Sequence, residues 1–229
     1  MTVVLHDSVQ LQSDGGKQWC YQVRPDGAGK WPGLVIIQEW WGLKAHMFDM
    51  AQRFAEQGYV TIVPDLYYGK VAGIAEEAGV LRRSLNNDRL VREISAAARH
   101  LKAHPSCTGK VGAIGYCAGG EFVFLTAVGS KDLDAAAVYY GMHPEPIERL
   151  NALSCPLLGI YGEEDVRITV PAREQVQPRL KQLGKTFEMY FYPGAGHAFS
   201  NDMRPAIYRP EAAKDAWQKT LAFFKQHLG

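Results

Sequence analysis

Cys117 stands between two glycines in Gly115-Tyr116-Cys117-Ala118-Gly119, and Gly120 follows. Gly-x-Cys-x-Gly has the spacing of a nucleophile elbow, with a thiol where a hydroxyl is usual. Before it, Lys110-Val-Gly-Ala-Ile114 is small and β-branched enough for a buried strand, and residues 121–128 read as a helix packed on a sheet. A strand that turns at once into a helix holds its corner residue in a strained conformation, and neighbours without a Cβ let the backbones approach. The corner side chain then stands at a helix N-terminus, where the dipole and free N–H groups favour a thiolate. The same pentapeptide also fits a glycine-rich turn around a structural cysteine. Chemistry at Cys117 therefore requires a base and an acid elsewhere in the chain.

In hydrolases built on such an elbow, the acid and then the histidine follow the nucleophile, each on a loop after a strand. Downstream of Cys117 stand His143, His197 and His227. His227 falls in the last helical turn, and His143 precedes any acid placed after the next strand. His197, in Pro193-Gly-Ala-Gly-His197, is the expected base. The loop after strand 156–161 offers Glu163, Glu164 and Asp165. Asp165, in Gly162-x-x-Asp165, is the expected acid, because a short carboxylate there can fix the tautomer of His197. Glu164 is the alternative, and Asp165 also suits a helix cap. An earlier strand, 33–37, ends in Gln38-Glu39-Trp40-Trp41-Gly42. The expected oxyanion donors are the backbone N–H groups of Trp40 and Ala118. Glu39 is a conspicuous neighbour for a thiolate, since like charges repel. An arginine-paired surface glutamate is its alternative.

Strands alternating with helices are needed to set these loops side by side. The reading expects a hairpin over residues 1–24 turning at Ser13-Asp-Gly-Gly16, then strands over 33–37, 59–63, 110–114, 134–140, 156–161 and 186–192. Helices are expected over 46–57, ended by Gly58; over 74–85; from a cap at Asp88 to about 103, burying Leu90, Val91, Ile94, Ala97, Ala98 and Leu101; and from Pro171 to about 183. A last helix opens at Pro210 or Glu211, with Ala213, Trp217, Leu221, Phe224 and Leu228 inward. The fold class expected is α/β, a mostly parallel sheet with helices on both faces and little or no cap, forming one domain over residues 1–229.

Composition narrows the function classes. A net charge of +1 over 229 residues, without a basic run, excludes a nucleic-acid partner held by bulk electrostatics. The start, Met1-Thr-Val-Val-Leu-His-Asp7, has no signal-peptide pattern, and no apolar run approaches a membrane span. Cys20, Cys107, Cys117 and Cys155 show no C-x-x-C spacing and read as free thiols of a cytoplasmic protein. No cofactor or metal is expected. His46, His100 and His104 lack partners at metal-ligand spacing, and the i, i+4 pair His100 and His104 reads as a solvated helix face.

The chain resembles the dienelactone hydrolase family of the α/β-hydrolase superfamily from end to end. The residues carrying the resemblance are Gln38-Glu39-x-x-Gly42, Pro64-Asp65-Leu66-Tyr67, Gly109-Lys110-Val111-Gly112, Gly115-Tyr116-Cys117-x-Gly119-Gly120, Tyr139-Tyr140-Gly141, Gly162-x-x-Asp165 and Ala195-Gly196-His197-x-Phe199. The resemblance implies a Cys117–His197–Asp165 triad. It also implies that the resting thiol is held near Glu39, which takes the thiol proton once substrate binds. Family enzymes grip a substrate carboxylate with arginines. At the position four past the histidine this chain has Asn201, with Arg204 the nearest arginine downstream, and the segment after Pro-Asp-Leu-Tyr holds Arg82 and Arg83. These four, with Trp41, Tyr67 and Phe199, are the expected substrate-facing residues. Trp40 and Tyr68 add to an aromatic-walled pocket, although the same rings suit ordinary core packing.

The expected activity is metal-free hydrolysis of an activated ester or lactone through a Cys117 thioester. The expected partner is a small molecule, with the chain a monomer or homodimer. An arylesterase or phosphotriester hydrolase using the same triad is the enzymatic alternative. A non-catalytic scaffold with an oxidisable thiol is the alternative of another class.

Overall fold

The continuous apolar runs become the middle of one sheet. A computed structural model describes residues 2–13 and 16–229. Its strands are β1 (Val4–Ser13), β2 (Gly16–Pro25), β3 (Trp31–Ile37), β4 (Val60–Pro64), β5 (Cys107–Tyr116), β6 (Ala135–Tyr139), β7 (Leu157–Gly162) and β8 (Phe187–Tyr192). They lie in the order β1-β2-β4-β3-β5-β6-β7-β8. β2 runs antiparallel to both β1 and β4, and every pair from β4 to β8 is parallel. Every residue of β4, β6 and β7 is buried, which is why these strands show no polar alternation. Of the expected hairpin turn, Asp14 and Gly15 lie outside the described residues.

The helices are α1 (Ala45–Glu56), α2 (Ala75–Ser84), α3 (Asn87–Ala103), α4 (Ala118–Gly129), α5 (Val166–Pro171), α6 (Gln177–Gln182) and α7 (Pro210–Leu228). Strand pleating sorts the core into two layers. Leu34 and Ile36 pack with Met47 and Phe54 of α1 and Phe223 and Phe224 of α7. Val35 and Ile37 pack on the other face with Ile94 and Leu101 of α3 and Phe122 and Phe124 of α4.

Four details depart from the sequence reading. Asn86, not Asp88, caps α3: its side chain accepts from the Arg89 N–H, and Asp88 is already inside the first turn. Pro171 does not open a helix. The helix starts at Val166 and meets Pro171 at its end, where a missing N–H interrupts the ladder and a π-helical stretch, Ala172–Val176, follows. In α7 the inward face turns toward Ala216, Thr220 and Phe223, leaving Trp217 and Leu221 half-buried. The Tyr139 hydroxyl, which meets Thr220 Oγ1 at 2.7 Å and donates to the Ala216 carbonyl at 3.1 Å, holds that face in. His100 and His104 are not simply solvated, because both ring Nε2 atoms meet the Gln22 amide, at 3.0 and 3.2 Å.

The β5–α4 corner is the tightest point of the chain. Cys117 has φ 58° and ψ −119°, a conformation that side chains rarely adopt. A Cβ on Gly115 would stand 2.0 Å from the Gly119 carbonyl oxygen, and one on Gly119 would stand 2.4 Å from that of Ile37. Both glycines are therefore required by backbone contact. Gly119→Ala is expected to destabilise the fold by at least about 3 kcal/mol. Gly196→Ala, where an added Cβ meets nothing within 4 Å, is expected to stay within about 0.5 kcal/mol of the parent. Urea unfolding of the two variants checks the contrast.

Behind the corner, His46 is 5% exposed and its ring lies 5.7 Å from that of Tyr116. Burial pushes its pKa down from 6.5 to about 4, with the Asp202 charge opposing and the Arg53 charge assisting. A folded-state pKa below the unfolded one gives stability that is complete above the unfolded value and lost as pH falls toward the folded one. The parent should thus lose about 2–3 kcal/mol more than His46→Phe between about pH 7 and about pH 4.5 in urea titrations.

Candidate active site

The loop after β7 and the loop after β8 are joined before any side chain meets. Glu163 N–H donates to the Tyr192 carbonyl at 3.0 Å and Glu164 N–H to that of Ala195 at 2.9 Å. A Cβ on Gly162 would stand 2.4 Å from the Ala195 oxygen, so this contact also needs a glycine. Asp165 then faces His197, and His197 Nδ1 donates to Asp165 Oδ2 at 2.5 Å. The ring's Nε2 lies 3.0 Å from Cys117 Sγ. Glu163 pairs with Arg173 and Glu164 is exposed, so neither competes for the imidazole. Asp165 is the N-cap residue of α5, but its side chain makes no cap bond and bonds His197 instead.

Electrostatics favour a proton on that imidazole. Burial opposes the charge on His197, but its hydrogen bonds to Asp165 and Cys117 and the negative charge at both outweigh burial, raising its pKa from 6.5 to about 10. The Tyr140 ring stands edge-on to the imidazole at 5.1 Å and donates or accepts through its hydroxyl with Ser200 at 2.9 Å.

Glu39 ends up 7% exposed, not on the surface. Burial raises its pKa, against the hydrogen bond from Asn201 and the charges of Arg204, His197 and Lys44. Asn201 Nδ2 approaches Glu39 Oε1 at 3.5 Å. The resemblance implied a resting thiol beside Glu39; here the thiol hydrogen-bonds His197 instead. The next residue, Trp40, and the first residue of α4, Ala118, both line the cleft over Cys117. No described backbone acceptor outside the regular elements takes the Trp40 N–H, and the Ala118 N–H opens a helix, where amides lack intrahelical partners.

The cleft measures about 500 Å³. Of the residues expected to face substrate, Trp41, Arg82 and Arg204 line it, and the Trp40 and Trp41 rings meet edge-on at 5.0 Å. Four expected substrate-facing residues, Tyr67, Arg83, Phe199 and Asn201, do not. Phe199 is fully buried against Tyr140 and Tyr192, because the backbone at Ala198 takes φ 59° and turns the next side chain into the core. Asn201 is 3% exposed and is spent on Glu39. Arg83 is exposed and folds back along α2 toward Gly79, away from the cleft. Tyr67 is 4% exposed, and its hydroxyl has no hydrogen-bond partner among the described residues.

The sequence reading missed Glu121, Met142, Arg167 and Ile168 on the cleft wall. Their signals were local: Glu121 lies one helical turn past Cys117, and Arg167 two residues past Asp165. The remaining thiols, Cys20, Cys107 and Cys155, are free and buried. Burial raises Cys20 and Cys155 to about 12 and raises Cys107 as well. Among the described residues, no three or more His, Cys, Asp or Glu side chains are grouped to hold a metal ion, and no helix is long and apolar enough to cross a membrane.

Comparison with known proteins places the chain in a family. The family model described as the dienelactone hydrolase family matches residues 20–228. A Yersinia pestis protein provisionally named carboxymethylenebutenolidase is 32% identical over 234 residues, which cover 95% of this chain and 86% of its own. The crystal structure of a provisionally named dienelactone hydrolase from Klebsiella pneumoniae superposes with a TM-score of 0.84 at 29% identity, covering 98% of this chain and 99% of that one. A dienelactone hydrolase-like promiscuous phosphotriesterase from metagenomic libraries shares the fold, with a TM-score of 0.89, at 21% identity and 99% coverage of both chains. The eight-stranded sheet, its helices and these matches together make the chain a member of the dienelactone hydrolase family, with the α/β-hydrolase fold.

Proposed function

We propose that the chain hydrolyses activated esters or lactones, with Cys117 as nucleophile. The observation that carries this reading is the line Asp165–His197–Cys117, at 2.5 and 3.0 Å, opening on a cleft of about 500 Å³. His197 holds the proton drawn from the thiol, and the thiolate attacks the acyl carbonyl. The new oxyanion rests on the N–H groups of Trp40 and Ala118, each worth about 3 kcal/mol of barrier. His197 returns the proton to the leaving alcohol, leaving a thioester on Cys117. It then takes a proton from water, whose oxygen attacks the thioester, and the thiol leaves reprotonated with the acid as product. Asp165 holds the tautomer and stabilises the imidazolium.

Glu39 is read as a second acceptor for the thiol proton, reached when the Cys117 side chain rotates away from His197. Its burial supports this, because a carboxyl kept short of solvent gains a proton more readily. A thiolate attacks well but leaves amide nitrogen poorly displaced, which favours enol lactones and aryl esters over amides. The name of the Yersinia pestis relative points the same way, since a butenolide is a cyclic ester.

The test is a turnover screen of a dienelactone, neutral aryl esters of varied acyl length and an aryl phosphotriester. Esters or the lactone should lead, and an acid quench should trap the acyl mass on the peptide containing Cys117. Cys117→Ala and His197→Ala should each lower kcat at least about 10³-fold, and Glu39→Gln by a smaller factor. A phosphotriester turned over faster than every ester would favour the phosphotriesterase alternative. Ester turnover surviving in Cys117→Ala at the parent rate would sink the triad reading in favour of a scaffold with a reactive thiol.

A further inference from the structure

Close to the thiol the cleft wall carries an ion pair that the proposed reaction does not use. Glu121 lies one turn along α4 from Cys117, its N–H donating to the Cys117 carbonyl at 3.3 Å. Its Oε1 accepts from Arg82 Nη2 at 2.6 Å. Arg82 comes from the last turn of α2, with its guanidinium 4.7 Å over the Phe122 ring. The two side chains are only 24% and 22% exposed, and both line the cleft. Cys117 lines the same cleft, so the pair and the thiol share one neighbourhood.

We propose that Glu121 is a specificity-determining residue, which neutralises Arg82 and so reserves the space beside Cys117 for an uncharged acyl group. The proposal rests on the esterase reading of Cys117. A guanidinium held against an aromatic ring next to the reacting carbonyl would otherwise be a strong anchor for a substrate carboxylate. Glu121 already occupies that anchor. An incoming anion must displace it, which strands a half-buried carboxylate and sets two like charges side by side. An uncharged group meets neither penalty. The free arginines of the cleft are a different case. Arg167 and Arg204 are exposed and make no ion pair among the described residues, so solvent screens them. They can draw anions to the mouth without fixing one beside the thiol.

The experiment compares kcat/KM for two esters with one leaving group, 4-nitrophenyl butyrate and mono-4-nitrophenyl succinate. The parent should favour the butyrate. Glu121→Gln should raise the succinate-to-butyrate ratio about tenfold, close to 1.4 kcal/mol, mainly through KM of the succinate. Adding Arg82→Gln to that variant should return the ratio to near the parent value. Arg82→Gln alone leaves Glu121 unpaired and should lower the ratio several-fold, which keeps the idea testable should Glu121→Gln fold poorly. A ratio in Glu121→Gln within twofold of the parent overturns the proposal, as does a raised ratio that survives removal of Arg82. Loss of both parent activities, or rates that do not depend on Cys117, overturns the esterase reading and this proposal with it. Normal Cys117-dependent turnover with an unshifted ratio sinks the role of Glu121 alone.

Discussion

One backbone contact organises the molecule: the approach of Gly119 to the carbonyls that end β3. With Ile37 O only 2.4 Å from where a side chain would begin, α4 is seated directly on the end of the neighbouring strand. That seat puts the start of α4 beside the loop that follows β3, so Ala118 and Trp40 come to line one cleft. It also forces the corner itself, because a strand and helix so closely joined leave Cys117 at φ 58°. The side chain is lifted out of the sheet as a consequence of packing, before any hydrogen bond acts on it. A similar glycine contact, Gly162 against Ala195, brings the Asp165 and His197 loops together. Two contacts of backbone on backbone therefore set the three side chains within reach, and their hydrogen bonds refine what the glycines allow.

Around this frame burial and charge oppose one another with different outcomes. At His197 the partners win, and the ring holds its proton far above the ordinary range. At Glu39 burial wins over one long hydrogen bond and several cations, so the carboxyl is raised. At Arg82 and Glu121 each charge answers the other within 2.6 Å. A small cleft thus contains three differently tuned charge environments, each set by how many partners reach the group once water is displaced.

The order of strands and helices was legible because parallel sheets bury whole apolar runs, and glycine and proline mark their ends. The meeting of Cys117, Asp165 and His197 was legible for the same reason: each lies just past a strand, in a turn marked by glycine. What was not legible depends on side-chain direction. Phe199 and Asn201 are near His197 in the chain, yet the positive φ at Ala198 sends one into the core and the other onto Glu39. Arg82 and Arg83 are adjacent, but α2 turns one into the cleft and the other to solvent. Glu121 was hidden because its helix is otherwise apolar and reads as core. On α7, Ala213, Phe224 and Leu228 are buried as their spacing suggests, while Ala216 and Thr220 escape an apolar reading because the Tyr139 hydroxyl bonds them.

The placement of the four thiols has a chemical consequence. Cys20, Cys107 and Cys155 are shut in the interior, where forming a thiolate is disfavoured. Cys117 alone is half-exposed, at the floor of an open cleft. The folded chain therefore presents a soft electrophile with a single address. One equivalent of an alkylating reagent titrates the fraction of molecules whose corner is correctly formed, and denaturation uncovers three further equivalents. Thiol stoichiometry becomes a direct gauge of how much of a preparation is folded.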